Sequence, residues 1–184
     1  MSQGNSNGAP VVHRPDKALY FLLLAVAART RADCLDRLVG AVISRDDRVL
    51  SSGYSGTPFG VPNCSDSGCA RCARTQAEAA RAGQYDACVC VHAEQNAILT
   101  ATRYGQRTLD TAITSTMQPC FGCLKELLQA GISEVRFFQP RTLESIGEDP
   151  ALTQQYVQLR SRFRVFARIG DPSVDIDHLF DALM

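Results

Sequence analysis

Apolar positions recur along this chain at two spacings, and their alternation predicts a sheet covered by helices. Leu19, Leu22, Leu23 and Val26 form a stripe at helical period behind Asp16, a capping residue, so a helix is expected from there to about Ala32. Val39 to Ser44 reads as a buried strand, Arg45-Asp46-Asp47 as a turn, and Val49 to Tyr54 as the hairpin partner. Gly53-Tyr54-Ser55-Gly56-Thr57-Pro58 then breaks the pattern into a loop. A Cys-rich excursion follows from Phe59 to Val91, holding an Ala-rich helical piece at about Ala70 to Ala82. Helices are expected at His92 to Tyr104, closed by Gly105, and at Cys120 to Ala130, closed by Gly131. Short strands fall at Thr111 to Ser115 and Glu134 to Phe138. Beyond them come a helix near Pro150 to Ser161, a strand near Arg164 to Ile169 and a short terminal helix. Strands alternating with helices indicate an α/β fold. With no internal repeat or linker, residues 15–184 are expected to form a single domain carrying a Cys-rich insertion at 60–91, preceded by a disordered tail over 1–14.

Composition changes this picture little. Hydrophobic residues make up 45% and charged residues 21% of 184, which is ordinary for a globular chain. Lysine plus arginine equals aspartate plus glutamate at 19 each, and such neutrality argues against gripping long nucleic acid. The longest apolar run, Tyr20 to Ala28, is too short to cross a bilayer, and the Ser/Asn/Gly-rich start lacks a signal peptide's apolar core. A cytoplasmic protein without membrane attachment is expected. Eight cysteines are the exception: in a reducing compartment they favour metal binding or catalysis over disulfides.

The candidate chemistry lies in Val91-His92-Ala93-Glu94 and Pro119-Cys120-Phe121-Gly122-Cys123. Three residues apart, Cys120 and Cys123 share one face of a helical first turn, where free N–H groups and the macrodipole favour thiolate. His92 adds an imidazole from the start of the preceding helix. Two thiolates and one imidazole leave the fourth tetrahedral position of a zinc ion for water, the pattern of a catalytic site. Glu94 is not needed as a ligand and is suited to take a proton from that water and carry it to a leaving group. Each residue alone has a plainer reading: a satisfied polar histidine, a first-turn carboxylate, a redox dithiol or half a zinc knuckle. Together they match the H-x-E…P-C-x-x-C signature of zinc deaminases.

The chain resembles the zinc-dependent cytidine and deoxycytidylate deaminase superfamily, and more closely its deoxycytidylate branch, from about Pro15 to Phe138. The likeness includes Cys34, Val39-Gly40-Ala41-Val42-Ile43, Gly53-Tyr54 with Gly56-Thr57-Pro58, His92-Ala93-Glu94-Gln95-Asn96-Ala97, Pro119-Cys120 with Cys123, and Gln129-Ala130-Gly131-Ile132. Asn63-Cys64 to Cys72 and Ala87-Cys88-Val89-Cys90-Val91 look most like the fungal type. The resemblance implies a three-layer α/β/α fold with a five-stranded mixed sheet. It implies hydrolytic deamination of a cytosine nucleotide, foremost dCMP to dUMP plus ammonia, in a homo-oligomer (dimer or hexamer) that in some members responds to dCTP and dTTP. Cytidine, free cytosine, CMP, dCTP or a modified dCMP are the rival substrates. A non-enzymatic zinc-binding interaction module is the rival class, although it gives Glu94 no task.

Three departures fall at the expected sugar-phosphate end. Ser55 stands where the family usually has asparagine, Asp36-Arg37 replaces a basic pair, and a tyrosine usual after the Glu134–Phe138 strand is missing, with Arg141 nearby. Arg37, Ser55, Thr57 and Arg141 are the candidate substrate contacts. The remaining cysteines suggest a second, structural zinc that orders residues 60–91. The resemblance points to Cys34, Cys64 and Cys90 with a fourth ligand among Cys69, Cys72 and Cys88. Spacing alone pairs Cys69 and Cys72 with Cys88 and Cys90, and both sets stay open.

Overall fold

The computed structural model describes residues 14–72, 88–141, 149–171 and 175–176. Of the expected tail over 1–14, residues 1–13 lie outside the described residues, as do the Ala-rich helix beyond Cys72 and the terminal helix beyond Ile176, while 70–72 form a turn.

Helix α1 (Lys17–Arg29) starts where Asp16 accepts a hydrogen bond from the Leu19 N–H at 2.8 Å. It ends three residues before the expected Ala32: the Thr30 hydroxyl donates to the Ala27 carbonyl, and the chain turns off to deliver Cys34. Strands β1 (Gly40–Arg45) and β2 (Arg48–Tyr54) form the expected hairpin. Its two-residue turn has positive φ at Asp46 (48°) and Asp47 (61°), the left-handed pair that matches strand twist. The register slips after Ile43, which pairs with Ser51 while Ser44 pairs with Val49, so Leu50 forms a bulge.

Next come α2 (Ala93–Arg103), β3 (Ala112–Met117), α3 (Phe121–Gln129), β4 (Glu134–Gln139), α4 (Pro150–Arg160) and β5 (Val165–Arg168). The sheet order is β2-β1-β3-β4-β5, with β1 antiparallel to both neighbours and β3, β4 and β5 mutually parallel. The sheet is therefore mixed and five-stranded, as the resemblance implies.

Side-chain alternation divides its faces. Ala41, Ile43, Ile113, Val135 and Phe137 pack on one side against Ala93 and Ala97 of α2, Leu124 and Leu127 of α3 and Tyr156 of α4. Val42 and Phe138 point the other way, to Phe21, Leu22, Ala25 and Val26 of α1. These helix residues are buried, each larger aliphatic contributing about 1.5–3 kcal/mol. The result is three layers. Among the described residues, no helix is long and apolar enough to cross a membrane.

Gly53 sets how closely α2 approaches the sheet. A Cβ there would stand 2.3 Å from both the Ala93 carbonyl oxygen and the Ala97 nitrogen, so only glycine lets the helix start lie against β2. Ser51 then donates to the Ala97 carbonyl and Asn96 to that of Tyr54, at 2.8 and 2.6 Å. The amino end of α2 is thereby fixed above the sheet, beside the carboxyl end of β3.

Candidate metal and catalytic centre

Two helix starts meet at this place. His92 caps α2 in extended conformation, and its backbone N–H donates to the Gln95 side-chain oxygen at 2.8 Å. Cys120 caps α3, its sulfur accepting from the Cys123 N–H at 3.5 Å. The Gln95 amide also donates to Glu126 of α3 at 2.9 Å, tying the two helices together. Upstream of His92, Val91 and Gly56 exchange backbone hydrogen bonds in both directions, at 2.8 and 3.2 Å, anchoring the approach to α2 on the hairpin loop. A Cβ on Gly56 would meet the Asp33 carboxylate at 2.4 Å, and Asp33 in turn accepts from the Thr57 N–H at 3.1 Å.

The His92, Cys120 and Cys123 donor atoms converge. His92 Nδ1 lies 3.3 Å from Cys123 Sγ and 3.4 Å from Cys120 Sγ, all three within 4.8 Å of one another. One imidazole and two thiols at this spacing are a donor set that fits zinc. A hydrogen bond from the Cys123 thiol, aided by His92, pulls Cys120 down to about 3 against the opposing effect of burial. The same shared proton, with burial and Glu94, pushes Cys123 well up. Burial opposes charge on His92, but Cys120 outweighs it and raises the imidazole.

Glu94 is buried, and burial followed by the Cys120 charge pushes its carboxyl up. Its Oε1 accepts from Ser115 of β3 at 3.0 Å, and its Oε2 lies 3.6 Å from Cys123 Sγ. The carboxylate therefore faces the three donors without joining them.

The candidate substrate residues separate. Arg37 reaches the Met117 sulfur at 3.8 Å, and Arg141 donates through Nε to the Gln118 carbonyl at 2.7 Å. Two cations thus reach consecutive residues at the end of β3, immediately before Pro119-Cys120, and the Arg141 charge acts on both His92 and Glu94. Ser55 is buried, its hydroxyl donating to the Arg37 carbonyl at 2.6 Å and accepting from the Val39 N–H at 3.0 Å. It shapes the turn that carries Arg37. Asp36, the acidic departure, pairs with Arg71 at 2.8 Å.

Sequence reasoning missed three supports. Ser115 carries no motif signal. The Gln118 amide donates to the Tyr156 hydroxyl at 2.9 Å, and that hydroxyl donates to the Pro119 carbonyl at 2.7 Å. Gln95 belonged to the matched motif, but its bridging role depends on where α3 packs.

The other cysteines form a second group. Cys34, Cys64, Cys69 and Cys90 are buried with Cys72 and Cys88 packed against them. All six lie in one group. The set that spacing suggests is close, with Cys88 at 3.4 Å from Cys69 and 4.0 Å from Cys72, whereas Cys34 and Cys64 of the resemblance set fall in different quartets of mutually close sulfurs. Burial pushes the Cys64, Cys72, Cys88 and Cys90 thiols up; at Cys69 it is outweighed by hydrogen bonds from the Cys72 backbone and from Cys88, which bring that thiol to about 6.

Residues 15–139 match the family described as the cytidine and deoxycytidylate deaminase zinc-binding region. The chain is 41% identical over 133 residues to the deoxycytidylate deaminase of Saccharomyces cerevisiae, a stretch covering 71% of this chain and 40% of that protein. The Schizosaccharomyces pombe deoxycytidylate deaminase is 38% identical over 133 residues, 72% of this chain and again 40% of the relative. The chain thus spans two fifths of the length of these yeast relatives. The deoxycytidylate deaminase of Mycobacterium phage D29 is 37% identical over 126 residues, 66% of this chain and 94% of the phage protein. Among solved structures, the dCMP deaminase of cyanophage S-TIM5 in complex with dCMP and dUMP has a TM-score of 0.61 at 21% identity, covering 86% of this chain and all of that one, a likeness of fold.

Proposed function

The chain belongs to the cytidine and deoxycytidylate deaminase family, and from that premise we propose that it hydrolyses the exocyclic amine of a cytosine nucleotide, converting dCMP to dUMP and ammonia. One observation carries this reading: His92, Cys120 and Cys123 converge within 4.8 Å beside a buried carboxylate that is not one of them. Zinc held by those three would lower the pKa of a coordinated water to about 7 and so supply the nucleophile.

The chain's own groups do the rest. Glu94, oriented by Ser115, accepts the proton released at the centre, delivers it to the ring nitrogen of cytosine, and moves a second proton to the departing amine. Because Glu94 is enclosed, those protons stay within the site. Arg37 and Arg141 are the proposed phosphate contacts, which would favour a nucleotide over a free base or nucleoside. Their approach to Met117 and Gln118 supports this. Thr57 would act through its loop, since its hydroxyl lies 3.4 Å from both Asp33 and the Val61 carbonyl.

The six remaining cysteines are proposed to hold structural metal. Eight free cysteines accord with a reducing, cytoplasmic setting. Self-association as a dimer or hexamer is supported by exposed apolar side chains at Leu35, Leu38 and Phe59.

Ammonia release from cytosine, deoxycytidine, CMP, dCMP and dCTP tests the reaction. dCMP is expected to be the substrate, and Glu94→Gln to lose about 10²–10⁴-fold in kcat while keeping its zinc. Turnover of another substrate alone would relocate the function. Full activity in Glu94→Gln would remove the mechanism.

A further inference from the structure

Six thiols are more than one tetrahedral ion can use. The cysteines outside the His92 centre form two overlapping quartets, Cys34, Cys72, Cys88 and Cys90, and Cys64, Cys69, Cys72 and Cys90, with the sulfur atoms of each within 4.8 Å of one another. The quartets have two members in common, Cys72 and Cys90. Two tetrahedra sharing an edge is the geometry of two ions bridged by two thiolates and completed by two terminal thiolates each.

We infer that Cys34 and the five cysteines of the insertion hold a binuclear zinc–thiolate cluster. Cys72 and Cys90 bridge, Cys34 and Cys88 complete one ion, and Cys64 and Cys69 complete the other. The inference rests on the reading that this insertion binds structural metal, and deepens it from one ion to two.

The sulfur–sulfur distances fall on both sides of the value that bonded ions would set. Zinc–sulfur bonds of about 2.3 Å place two sulfurs of one tetrahedron about 3.8 Å apart. Cys64 and Cys90 stand at 3.1 Å, and Cys72 and Cys88 at 4.0 Å. Cys69 and Cys88, terminal on different ions, lie 3.4 Å apart and must separate as the ions enter.

Charge favours the second ion as well. One zinc with four thiolates and two neutral thiols carries −2. Two zincs with six thiolates also carry −2. The second Zn²⁺ forms its terminal bonds by displacing two thiol protons to solvent, so it adds no net charge to a buried site. With one ion, either quartet would leave two thiols against zinc-bound sulfur with no ligand role. A cation is already fixed beside these sulfurs: Arg71, between Cys69 and Cys72 in sequence, is held by Asp36 at 2.8 Å, and its charge interacts with Cys88.

Elemental analysis and cadmium-113 NMR on the full chain test the count. The protein is expected to hold three zinc ions per chain, and the Cys120→Ser/Cys123→Ser variant two. Cadmium exchanged into that variant should give two thiolate-range signals, each split by coupling through the shared sulfurs. Cys34→Ser should retain one insertion ion at most, and Cys72→Ser/Cys90→Ser none. One ion in the Cys120→Ser/Cys123→Ser variant, with a single unsplit signal, would overturn the binuclear cluster and leave a one-ion site standing. Absence of insertion metal from the protein itself would overturn both. The cadmium spectrum needs no cluster variant, so misfolding of one cannot decide the question.

Discussion

Glu94 is held by a residue with no signature of its own. Ser115 projects from the centre of β3, which pairs with Ala41 on one side and Phe137 on the other, so its hydroxyl is fixed by the sheet. Its 3.0 Å hydrogen bond leaves Glu94 one favoured orientation toward the donors. Ser115→Ala removes that guide without touching a proposed ligand. It should lower kcat by about 10–100-fold, with zinc content unchanged and KM little altered. A change in KM alone would mean that Ser115 serves substrate and not the carboxylate. Gly53 acts by lacking a side chain. Gly53→Ala puts a methyl against the backbone of Ala93 and Ala97, and backbone cannot swing aside. A loss of about 1–3 kcal/mol in urea unfolding is expected, with weaker zinc retention because α2 carries His92. Unchanged stability would show that the helix can shift outward at no cost.

At the scale of elements, the sequence made the strands and most helices legible because one period decides each of them. All five strands lie where alternation or apolar runs place them, with ends differing by one or two residues, as hydrogen-bonding fixes ends less sharply than interiors. His92, Glu94, Cys120 and Cys123 were legible as a motif: the i, i+3 spacing puts both cysteines on one face of a first turn, and His92 joins them as the extended cap residue before its helix. What escaped depends on elements far apart in the chain. Tyr156 looks like one more apolar residue of α4. Only when α4 packs beside α3 does its hydroxyl find the Pro119 carbonyl and the Gln118 amide, and so brace the turn before Cys120. The cysteine groups show the same limit. Spacing offered Cys69, Cys72, Cys88 and Cys90, but Cys34 joins Cys72, Cys88 and Cys90 only because the chain turns away after α1 ends at Arg29.

Across the whole molecule, the two ends of the parallel strands have different work. The carboxyl end of β3 leads into the proposed active centre, in keeping with where open α/β sheets place ligands. The amino ends are joined by charge: Glu134, at the start of β4, accepts from Arg164 at 2.7 and 3.1 Å and pairs with Arg136 at 2.5 Å, while Arg164 also reaches Asp110. Hydrogen bonding from Arg164, followed by the Arg136 charge and set against slight burial, holds the Glu134 carboxyl below its ordinary value of 4.5. A carboxyl whose value is lower in the folded than in the unfolded chain stabilises the fold above the ordinary value. It loses that contribution as pH falls through the folded one. Glu134→Gln should therefore unfold more readily than the parent at neutral pH, by about 1 kcal/mol or less because Arg164 is largely exposed. The gap should close as pH drops below 4.5. Acid also protonates cysteines and releases metal, but it does so in both proteins, so the difference between their urea midpoints isolates Glu134. A gap of constant size through that range would mean that the side chain acts by packing, and that its charge does not clamp β4 to the start of β5.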